Sequence, residues 1–343
     1  MSRKLLSLLM LLTVLLSACA PAAAPTPIAT SAPTARPTAA PTSVPTLAPT
    51  LAPAEPPTPI STPAPEPIKL TDGLGRSIEL AAPAQRIISI APSNTEILFA
   101  LGAGQQVIGR EELSDYPAEA QDVPSIGSVF DKLNTEAIVA LQPDLILAAE
   151  INSPEQVKAL EDLKLTVYWL PNPKKFEDLY PNLETVGKLT GRSTEAAQLI
   201  ESIKTRYDAV TQKVAGATEK PVVFYEIDAT DPTKPWTPGP GSFIDAMLTL
   251  AGGQNVGAAL KDPFAQISSE ELVAQNPAVI LLGDAPYGVT VESVGQRAGW
   301  SALKAVQNDA VYTFDDNLVS RPGPRLIDGL ETLAKLLHPE LFK

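Results

Sequence analysis

Few residues of this chain have the type and spacing that reaction chemistry requires. Its 343 residues include one cysteine, Cys19, and one histidine, His338. Transition-metal sites need several imidazole or thiolate ligands, and Ser-His-Asp or Cys-His hydrolases need a histidine beside the nucleophile. His338 lies in a Leu-Leu-His-Pro segment, where we expect a hydrogen-bonded or solvent-facing ring at a helix end. The sequence therefore predicts no metal ligands and no catalytic residues of these kinds.

Paired carboxylates are the remaining way to build a hydrolytic centre. A glycoside hydrolase needs two acidic side chains, but no pattern distinguishes a pair among the 39 acidic residues. The sequence also lacks a Gly-rich phosphate loop of the P-loop kind, so ATP hydrolysis is not expected. We predict that the protein is not an enzyme, with a surface glycoside hydrolase as the enzymatic alternative.

Cys19 lies in a setting that predicts modification. Arg3 and Lys4 precede an apolar run that ends at Leu16 and is too short to span a bilayer core of about 30 Å. The following Ser-Ala-Cys19 resembles the lipobox of bacterial lipoproteins, whose cysteine thiol receives diacylglycerol. We expect residues 1–18 to be a signal peptide and Cys19 to anchor the exported protein to the outer face of the cell membrane, in a periplasmic or extracellular position. The alternative is an ordinary secretory signal with a chance cysteine.

Residues 19–67 have the composition of a tether. Between residues 20 and 67 lie 15 of the 35 prolines, together with Thr, Ala and Ser and no aromatic residue. Such a segment buries too little apolar surface to offset the entropy of ordering, so we expect a disordered linker. The formal charge of −13 disfavours nucleic acid as a partner, because nucleic-acid affinity depends on Lys and Arg contacts to phosphate.

The remaining residues contain an internal duplication. Residues 133–149 align without gaps with residues 267–283, and the identical pairs include Glu136 with Glu270. Each copy is typical of a polar N-cap, a short helix, a proline that ends it and a buried strand. Because the same helix–strand unit occurs once in each half, the sequence predicts two similar α/β lobes.

Other segments agree with this architecture. Strands are predicted at residues 86–91, 107–109, 144–149, 167–170, 222–226, 278–282 and 310–314. Their alternation with helices indicates parallel sheets covered on both faces. Between the halves, a helix of about 30 Å is predicted from Ser193 to about Val214. Its apolar stripe is Ala197, Ile200, Ile203, Tyr207 and Val210.

The predicted fold is therefore of the α/β class, with two Rossmann-like lobes that contain parallel sheets and are joined by one long backbone helix. We expect an N-terminal lobe at residues 68–172, a connecting helical segment at 173–219 and a C-terminal lobe at 220–343.

Five segments in order over residues 70–340 carry a resemblance to a known family. They are Pro92-Ser-Asn-Thr-Glu96, Ser114-Asp-Tyr-Pro117, the duplicated glutamate unit, Gly239-Pro-Gly-Ser-Phe-Ile-Asp245 and Arg321-Pro-Gly-Pro-Arg325. Together they resemble the substrate-binding proteins of ABC importers for cobalamin and ferric siderophores. The resemblance implies two lobes around a ligand cleft, a stiff helical hinge, a monomer and no permanently bound cofactor. The implied partners are an ABC permease and, through it, the ATPase subunits.

Ligand contacts are expected at the carboxyl ends of strands. The candidates are Pro92, Ser93, Ser114, Asp115, Tyr116, Phe130, Trp236, Phe264, Tyr287, Asn317 and Arg321. Trp236 is predicted in a polar loop, where an exposed aromatic favours binding over packing. The resemblance matches Phe130 and Phe264 to tryptophans, and Arg321 to a ligand-loop arginine, of the cobalamin-binding relative. Core packing for Phe264 and a plain surface role for Arg321 are the alternatives.

Three glutamates receive separate interpretations. In the family, an exposed glutamate on each lobe docks onto permease arginines, and the matching positions are Glu136 and Glu270; a helix-dipole role is the alternative. Glu96 reads as the capping-box partner of Ser93.

The ligand itself is expected to be a corrinoid or a ferric chelate. Leu113 and Ala149 replace a tyrosine and a tryptophan of the cobalamin-binding relative, which reduces the area for aromatic stacking. Cobalamin is preferred, a ferric siderophore is next, and haem or another chelate remains open. A lipid-anchored chelate sensor without a transporter is the alternative function.

Overall fold

The computed structural model describes residues 66–130 and 133–343. The predicted signal peptide, Cys19 and nearly all of the predicted linker lie outside the described residues. Within the described ranges, no helix is long and apolar enough to cross a membrane.

The described residues alternate between strands and helices. The strands are β1 (Ile68–Thr71), β2 (Ser77–Leu80), β3 (Ile87–Ser89), β4 (Val107–Arg110), β5 (Leu145–Ala149), β6 (Val167–Leu170), β7 (Val222–Glu226), β8 (Trp236–Pro238), β9 (Gln254–Asn255), β10 (Phe264–Gln266), β11 (Val279–Leu282) and β12 (Val311–Thr313). The α-helices are α1 (Pro92–Ala100), α2 (Thr135–Ala140), α3 (Pro154–Asp162), α4 (Leu179–Thr190), α5 (Ser193–Val214), α6 (Phe243–Leu250), α7 (Ser269–Gln275), α8 (Val291–Val294), α9 (Lys304–Gln307), α10 (Asn317–Ser320) and α11 (Leu326–Leu337). Short 3-10 helices lie at Gly104–Gln106, Ala118–Asp122, Phe176–Asp178, Val256–Ala259, Ala285–Tyr287, Trp300–Ala302 and Pro339–Phe342.

Two parallel sheets share one topology. The first lobe has the strand order β6-β5-β3-β4, and the second has β12-β11-β7-β9. When the four strands of each sheet are numbered in chain order, both sheets have the strand order 4-3-1-2. The predicted duplication and the predicted α/β fold with two lobes are therefore confirmed. Two small antiparallel pairs, β1 with β2 and β8 with β10, were not predicted.

The two copies of the repeat agree in local detail. The Asn134 side chain accepts a hydrogen bond from the Ala137 N–H at 3.0 Å, and Ser268 accepts one from the Glu271 N–H at 3.1 Å. Both predicted N-caps are therefore confirmed. At the other helix end, Gln142 and Asn276 have positive φ angles of 48° and 49°. Each precedes a proline, which disfavours a helical conformation for the residue before it.

The long helix α5 is confirmed at Ser193–Val214, a length of 22 residues. Its buried stripe is Ala196, Ile200, Ile203 and Val210. Ala197 was expected on this stripe and is instead exposed. The reason is the close approach of α4, where a Cβ on Gly187 would lie 2.7 Å from the Ala196 Cβ. Ala196 therefore lies in the α4–α5 interface, and Ala197 lies outside it.

The core joins both lobes through this helix. Alternate strand residues face opposite sides of each sheet, as in β3, where Ile87 and Ile88 belong to different hydrophobic clusters. In β7, Val223 and Phe224 are divided in the same way. The inner faces of both sheets pack with α4, α5 and α11 into one cluster. Both sheets are covered on two faces, as their continuous apolar strands predict.

Candidate functional site

A cavity of about 540 Å³ lies between the lobes, within the size range of small-molecule sites. Its first-lobe wall consists of Pro92, Ser93, Leu113, Asp115, Phe130, Ala149, Ile151 and Asn172. Its second-lobe wall consists of Gly283, Pro286, Tyr287, Asp316, Asn317, Ser320, Arg321 and Pro322. Most of these residues lie at or shortly after the carboxyl end of a parallel strand, where open α/β sheets form their ligand crevices.

The structure brings together seven of the predicted ligand residues in this cavity. They are Pro92, Ser93, Asp115, Phe130, Tyr287, Asn317 and Arg321. Phe130 and Tyr287 come from opposite lobes, and their side chains are 70% and 89% exposed. Large apolar surfaces left open to water on both walls are a feature of interaction sites rather than of packing.

Four predicted residues lie elsewhere. Ser114 is buried below the cavity wall, where its hydroxyl donates to Glu111 Oε1 at 2.9 Å and accepts from the Thr95 hydroxyl at 2.8 Å. The Tyr116 ring lies against the Arg325 guanidinium, with 3.9 Å between the Arg325 Cζ and the ring centroid. Trp236 and Phe264 are both exposed on the antiparallel pair β8–β10, outside the cavity lining.

The predicted loop around Trp236 is instead a short strand. Trp236 begins β8 and pairs with Gln266, and Pro238 pairs with Phe264. The segment Trp236-Thr237-Pro238 contains no continuous apolar run, so no strand was predicted there. Since residues that oppose each other across two strands point to the same face, both aromatic rings lie on one face of this pair.

Several wall residues were missed by sequence reasoning. Leu113 and Ala149 were considered only as departures from a relative, and Ile151, Asn172, Gly283, Pro286, Asp316, Ser320 and Pro322 were not considered. One signal was available, because Ile151 and Gly283 follow within two residues of the buried strands β5 and β11 of the duplicated unit. Applying the carboxyl-end rule to every predicted strand would have included them.

Glu96 is not a capping-box residue. Helix α1 begins at Pro92 with Ala91 as its N-cap, and no side chain caps it. The Glu96 side chain, 1% exposed, instead accepts hydrogen bonds from Arg325 Nε at 2.9 Å and Arg325 Nη2 at 2.6 Å. Burial raises the pKa of Glu96, and the neighbouring arginines oppose that rise. The reason for the difference is tertiary, because the partner lies in the other lobe.

This ion pair lies between two inter-lobe cavities. Arg321 and Pro322 line the larger cavity, whereas Pro324 and Arg325 line a second one of about 300 Å³. Helix α5 contributes the far wall of the second cavity through Ile203 and Arg206. Arg206 also pairs with Asp328 of α11 at 2.6 Å. Polar contacts thus connect the first lobe, the second lobe and the backbone helix behind the cleft.

A second group of buried charges lies behind the second-lobe wall. Glu226, at the end of β7, is fully buried and forms two hydrogen bonds with Arg297. Asp284 follows the wall residue Gly283 and accepts a hydrogen bond from the Ala229 N–H at 3.0 Å. Its other oxygen, Oδ1, is buried and has no hydrogen-bond partner among the residues that the structure describes. Burial, followed by the charge of Glu226, raises the pKa of Asp284 to about 6.

Asp284→Asn should stabilise the protein at pH 7.5 by about 1–3 kcal/mol, because one pKa unit corresponds to about 1.4 kcal/mol. The folded-state pKa lies above that of a solvated aspartate, about 3.9. The contribution of Asp284 to the free energy of unfolding should therefore fall as pH rises from about 4 through about 6, and then level off. Denaturant unfolding at pH 7.5 and 4.5 tests this, with the exposed Asp122→Asn as a control that should change little. A gain that is as large at pH 4.5 as at pH 7.5 would contradict the assignment.

Glu136 and Glu270 occupy equivalent positions in the two lobes. Each is the second residue of its helix, α2 or α7, and each is exposed. The placement is compatible with the helix-dipole role and with contact to a partner. Glu271, also exposed in the first turn of α7, has Ala137 as its counterpart in α2.

His338, the one histidine, lies directly after α11 and is buried. Its Nε2 lies 3.3 Å from the Gly252 carbonyl oxygen. The prediction of a hydrogen-bonded ring at a helix end is confirmed.

Comparison with known proteins supports one family. The periplasmic binding protein family matches residues 87–318. An uncharacterised ABC transporter substrate-binding lipoprotein of Bacillus subtilis is 34% identical over 282 residues, which cover 81% of this chain and 87% of the relative.

Two solved structures are similar to this chain in both sequence and fold. The vitamin B12-binding protein of Vibrio cholerae is 28% identical, with a TM-score of 0.64 over 76% of this chain and 99% of that chain. A possible iron-binding (periplasmic solute-binding) protein from Staphylococcus epidermidis is 29% identical, with a TM-score of 0.65 over 74% of this chain and 99% of that chain.

These similarities confirm the family that the ordered motifs predicted. The relatives are binding proteins rather than enzymes. The chain belongs to the periplasmic binding protein family, and it is a periplasmic or extracellular solute-binding component of an ABC transporter.

Proposed function

We propose that this protein captures a metal chelate in the inter-lobe cavity and delivers it to an ABC permease, with cobalamin as the preferred ligand and a ferric siderophore as the next. The observation that carries the proposal is that each cavity wall exposes large apolar or aromatic side chains. Leu113, Phe130 and Ile151 of the first lobe and Tyr287 of the second are large side chains that remain exposed there. A bulky guest with apolar faces would cover them and remove that surface from water.

The polar part of the lining supports recognition of an oxygen-rich and amide-rich periphery. Asn172 and Asn317 supply amide groups, Asp316 supplies an acceptor, and Arg321 supplies donors. Asp316 is held by the buried Tyr225, whose hydroxyl donates to Asp316 Oδ1 at 2.6 Å. Corrinoid amides and siderophore hydroxamates both present groups that pair with this set. The names of the Vibrio and Staphylococcus relatives support a corrinoid and an iron ligand, respectively.

Trp236 and Phe264 are proposed to extend the site beyond the cavity. They lie on one face of the β8–β10 pair, which follows the carboxyl end of β7 and contacts it through Thr237, whose hydroxyl donates to the Tyr225 carbonyl. A planar ligand larger than the cavity would contact these rings by stacking. Ser114 is proposed to support the wall rather than to touch the ligand.

Delivery to the membrane is the remaining part of the proposal. Glu136 and Glu270 would dock onto arginines of the permease, which acts with its ATPase subunits. Lipid on Cys19 would anchor the protein to the outer face of the cell membrane. The Pro-rich linker would let the two-lobed part move away from that surface to meet the permease. The protein is proposed to act as a monomer and without a permanently bound cofactor.

Titrating the full-length chain with cyanocobalamin should quench tryptophan fluorescence saturably. Of the three tryptophans, Trp169 and Trp300 are buried, whereas Trp236 is 41% exposed. Trp236→Phe should therefore lose most of the signal change, and a free tryptophan derivative in the same titration corrects for light absorbed by the ligand. Ferrioxamine B, a ferric hydroxamate, is the second probe. Silence with both probes, confirmed by equilibrium dialysis, would refute the proposed ligand class.

A further inference from the structure

Two arginines of the second lobe reach acidic side chains of the first lobe, and the two pairs differ in burial. Arg325 makes two hydrogen bonds to Glu96, and the side chains are 13% and 1% exposed. Arg321 Nη1 lies 2.6 Å from Asp115 Oδ1; the Arg321 side chain is 14% exposed, whereas the Asp115 side chain is 55% exposed. The first pair is doubly bonded and buried, whereas the second has one contact and is open to the cavity.

We propose that Asp115 is a displaceable partner of Arg321, which it orients while the cavity is empty and releases when an oxygen acceptor of the ligand takes its place. The inference rests on the proposed function, because it assumes that the ligand enters this cavity. Asp115 and Arg321 both line the cavity. Within the described ranges, Arg321 Nε and Nη2 make no hydrogen bond to the protein, so these donors remain for a ligand.

Glu96 keeps Arg321 in place after the exchange. Its Oε1 lies 3.6 Å from the same Arg321 Nη1, and Arg325 holds the Glu96 carboxylate from the other side. Glu111, which is buried below the wall, also attracts Arg321. The guanidinium therefore keeps neighbouring negative charge when Asp115 turns away, and the exchange does not leave it uncompensated.

The two arginines are similarly buried, so the difference in exposure between the carboxylates Glu96 and Asp115 decides which pair separates. Exposed ion pairs stabilise a protein little, because water and salt screen both charges. A buried pair yields at a high cost, because separation leaves a charge without compensation in a low-dielectric site. The ligand group at this point is therefore an oxygen acceptor, such as a carboxylate, a phosphate or an amide or hydroxamate carbonyl, rather than a cation.

Binding affinities of the full-length chain and its variants test the exchange, with cyanocobalamin and ferrioxamine B as probes. Asp115→Asn should bind about two- to fivefold tighter, which corresponds to the usual strength of an exposed ion pair. Arg321→Gln should bind about tenfold weaker, as expected for a lost charge-assisted hydrogen bond. The double variant should match Arg321→Gln alone, because Asp115 acts only through Arg321. Glu112→Gln, at an exposed neighbouring position, is the control and should bind like the native chain.

Unchanged or weaker binding by Asp115→Asn would overturn the proposal, and so would a gain that persists without Arg321. A ligand-free measurement separates this failure from failure of the proposed function. In NMR spectra of isotope-labelled arginine, the Arg321 side-chain signals, assigned by their loss in Arg321→Lys, should show faster guanidinium rotation in Asp115→Asn than in the native chain. Equal guanidinium rotation in Asp115→Asn and the native chain would refute the pairing in solution. If neither probe binds, the proposed ligand class is refuted instead.

Discussion

Replacing Glu136 and Glu270 together with alanine should leave ligand affinity within about twofold of the native value and lower uptake about tenfold or more. The two carboxylates lie at equivalent, exposed helix positions, one on each lobe. If each forms an ion pair with the permease, both contacts are lost, and close interfacial charge pairs contribute roughly 1.5 kcal/mol or more each. Neither glutamate lines the cavity, so binding is spared. Uptake of radiolabelled cyanocobalamin by cells that make the cognate permease measures the effect.

Glu271→Ala is the matched control for docking. Glu271 is exposed in the same helical turn as Glu270, and its equivalent in the first lobe is Ala137. A helix-dipole role would make Glu270 and Glu271 similar, with about 0.3–1 kcal/mol of stability each and no specific loss of transport. Native uptake by the double variant would rule out docking through these residues. A comparable loss in Glu271→Ala would indicate a general charge effect.

Glu96→Ala should lower the free energy of unfolding by about 3 kcal/mol, because removing one partner of a buried ion pair leaves the other uncompensated. Arg325 would lose both of its hydrogen bonds to Glu96, and Arg321 would lose a neighbouring negative charge. Both arginines belong to the second lobe, so the loss falls on contacts between the lobes. Denaturant unfolding followed by circular dichroism measures the change.

Lys158→Ala provides the control for this effect. Lys158 pairs with Asp162 at 2.9 Å on the surface of α3, where both side chains are well exposed. Its loss should change the free energy of unfolding very little, because water and salt screen an exposed helix pair. A similarly small loss in Glu96→Ala would show that the inter-lobe pair contributes little to the fold.

The repeated elements of the fold were predictable because their signals are local. Residues 133–149 and 267–283 carry an N-cap, a helix end and a buried strand in sequence, and each feature follows from neighbouring residues. The helix Ser193–Val214 was predicted for the same reason. The pairs β1–β2 and β8–β10 were missed because none of these four strands contains the continuous apolar run that marked the predicted strands.

For the site as well, features with a local signal were predicted and long-range contacts were not. Phe130, Tyr287 and Arg321 were predicted from motifs and chain position, and all three line the cavity. Ser114, from the same motif as Asp115, is buried because its hydroxyl bonds with Glu111 and Thr95 below the wall. Glu96 matched a capping pattern, yet its partner lies 229 residues away in Arg325. No local pattern could identify that contact.

By itself, the sequence determined the two-lobed α/β architecture, the connecting helix and the family, because periodicity, caps and an internal repeat are written in neighbouring residues. The tertiary structure alone decided which loop residues share one cavity and which carboxylates meet arginines across the lobes. These contacts depend on how two separately folded sheets approach each other. The packing of both sheets on α4, α5 and α11 sets their relative position. This packing joins residues far apart in the sequence, and local propensities carry no information about such contacts.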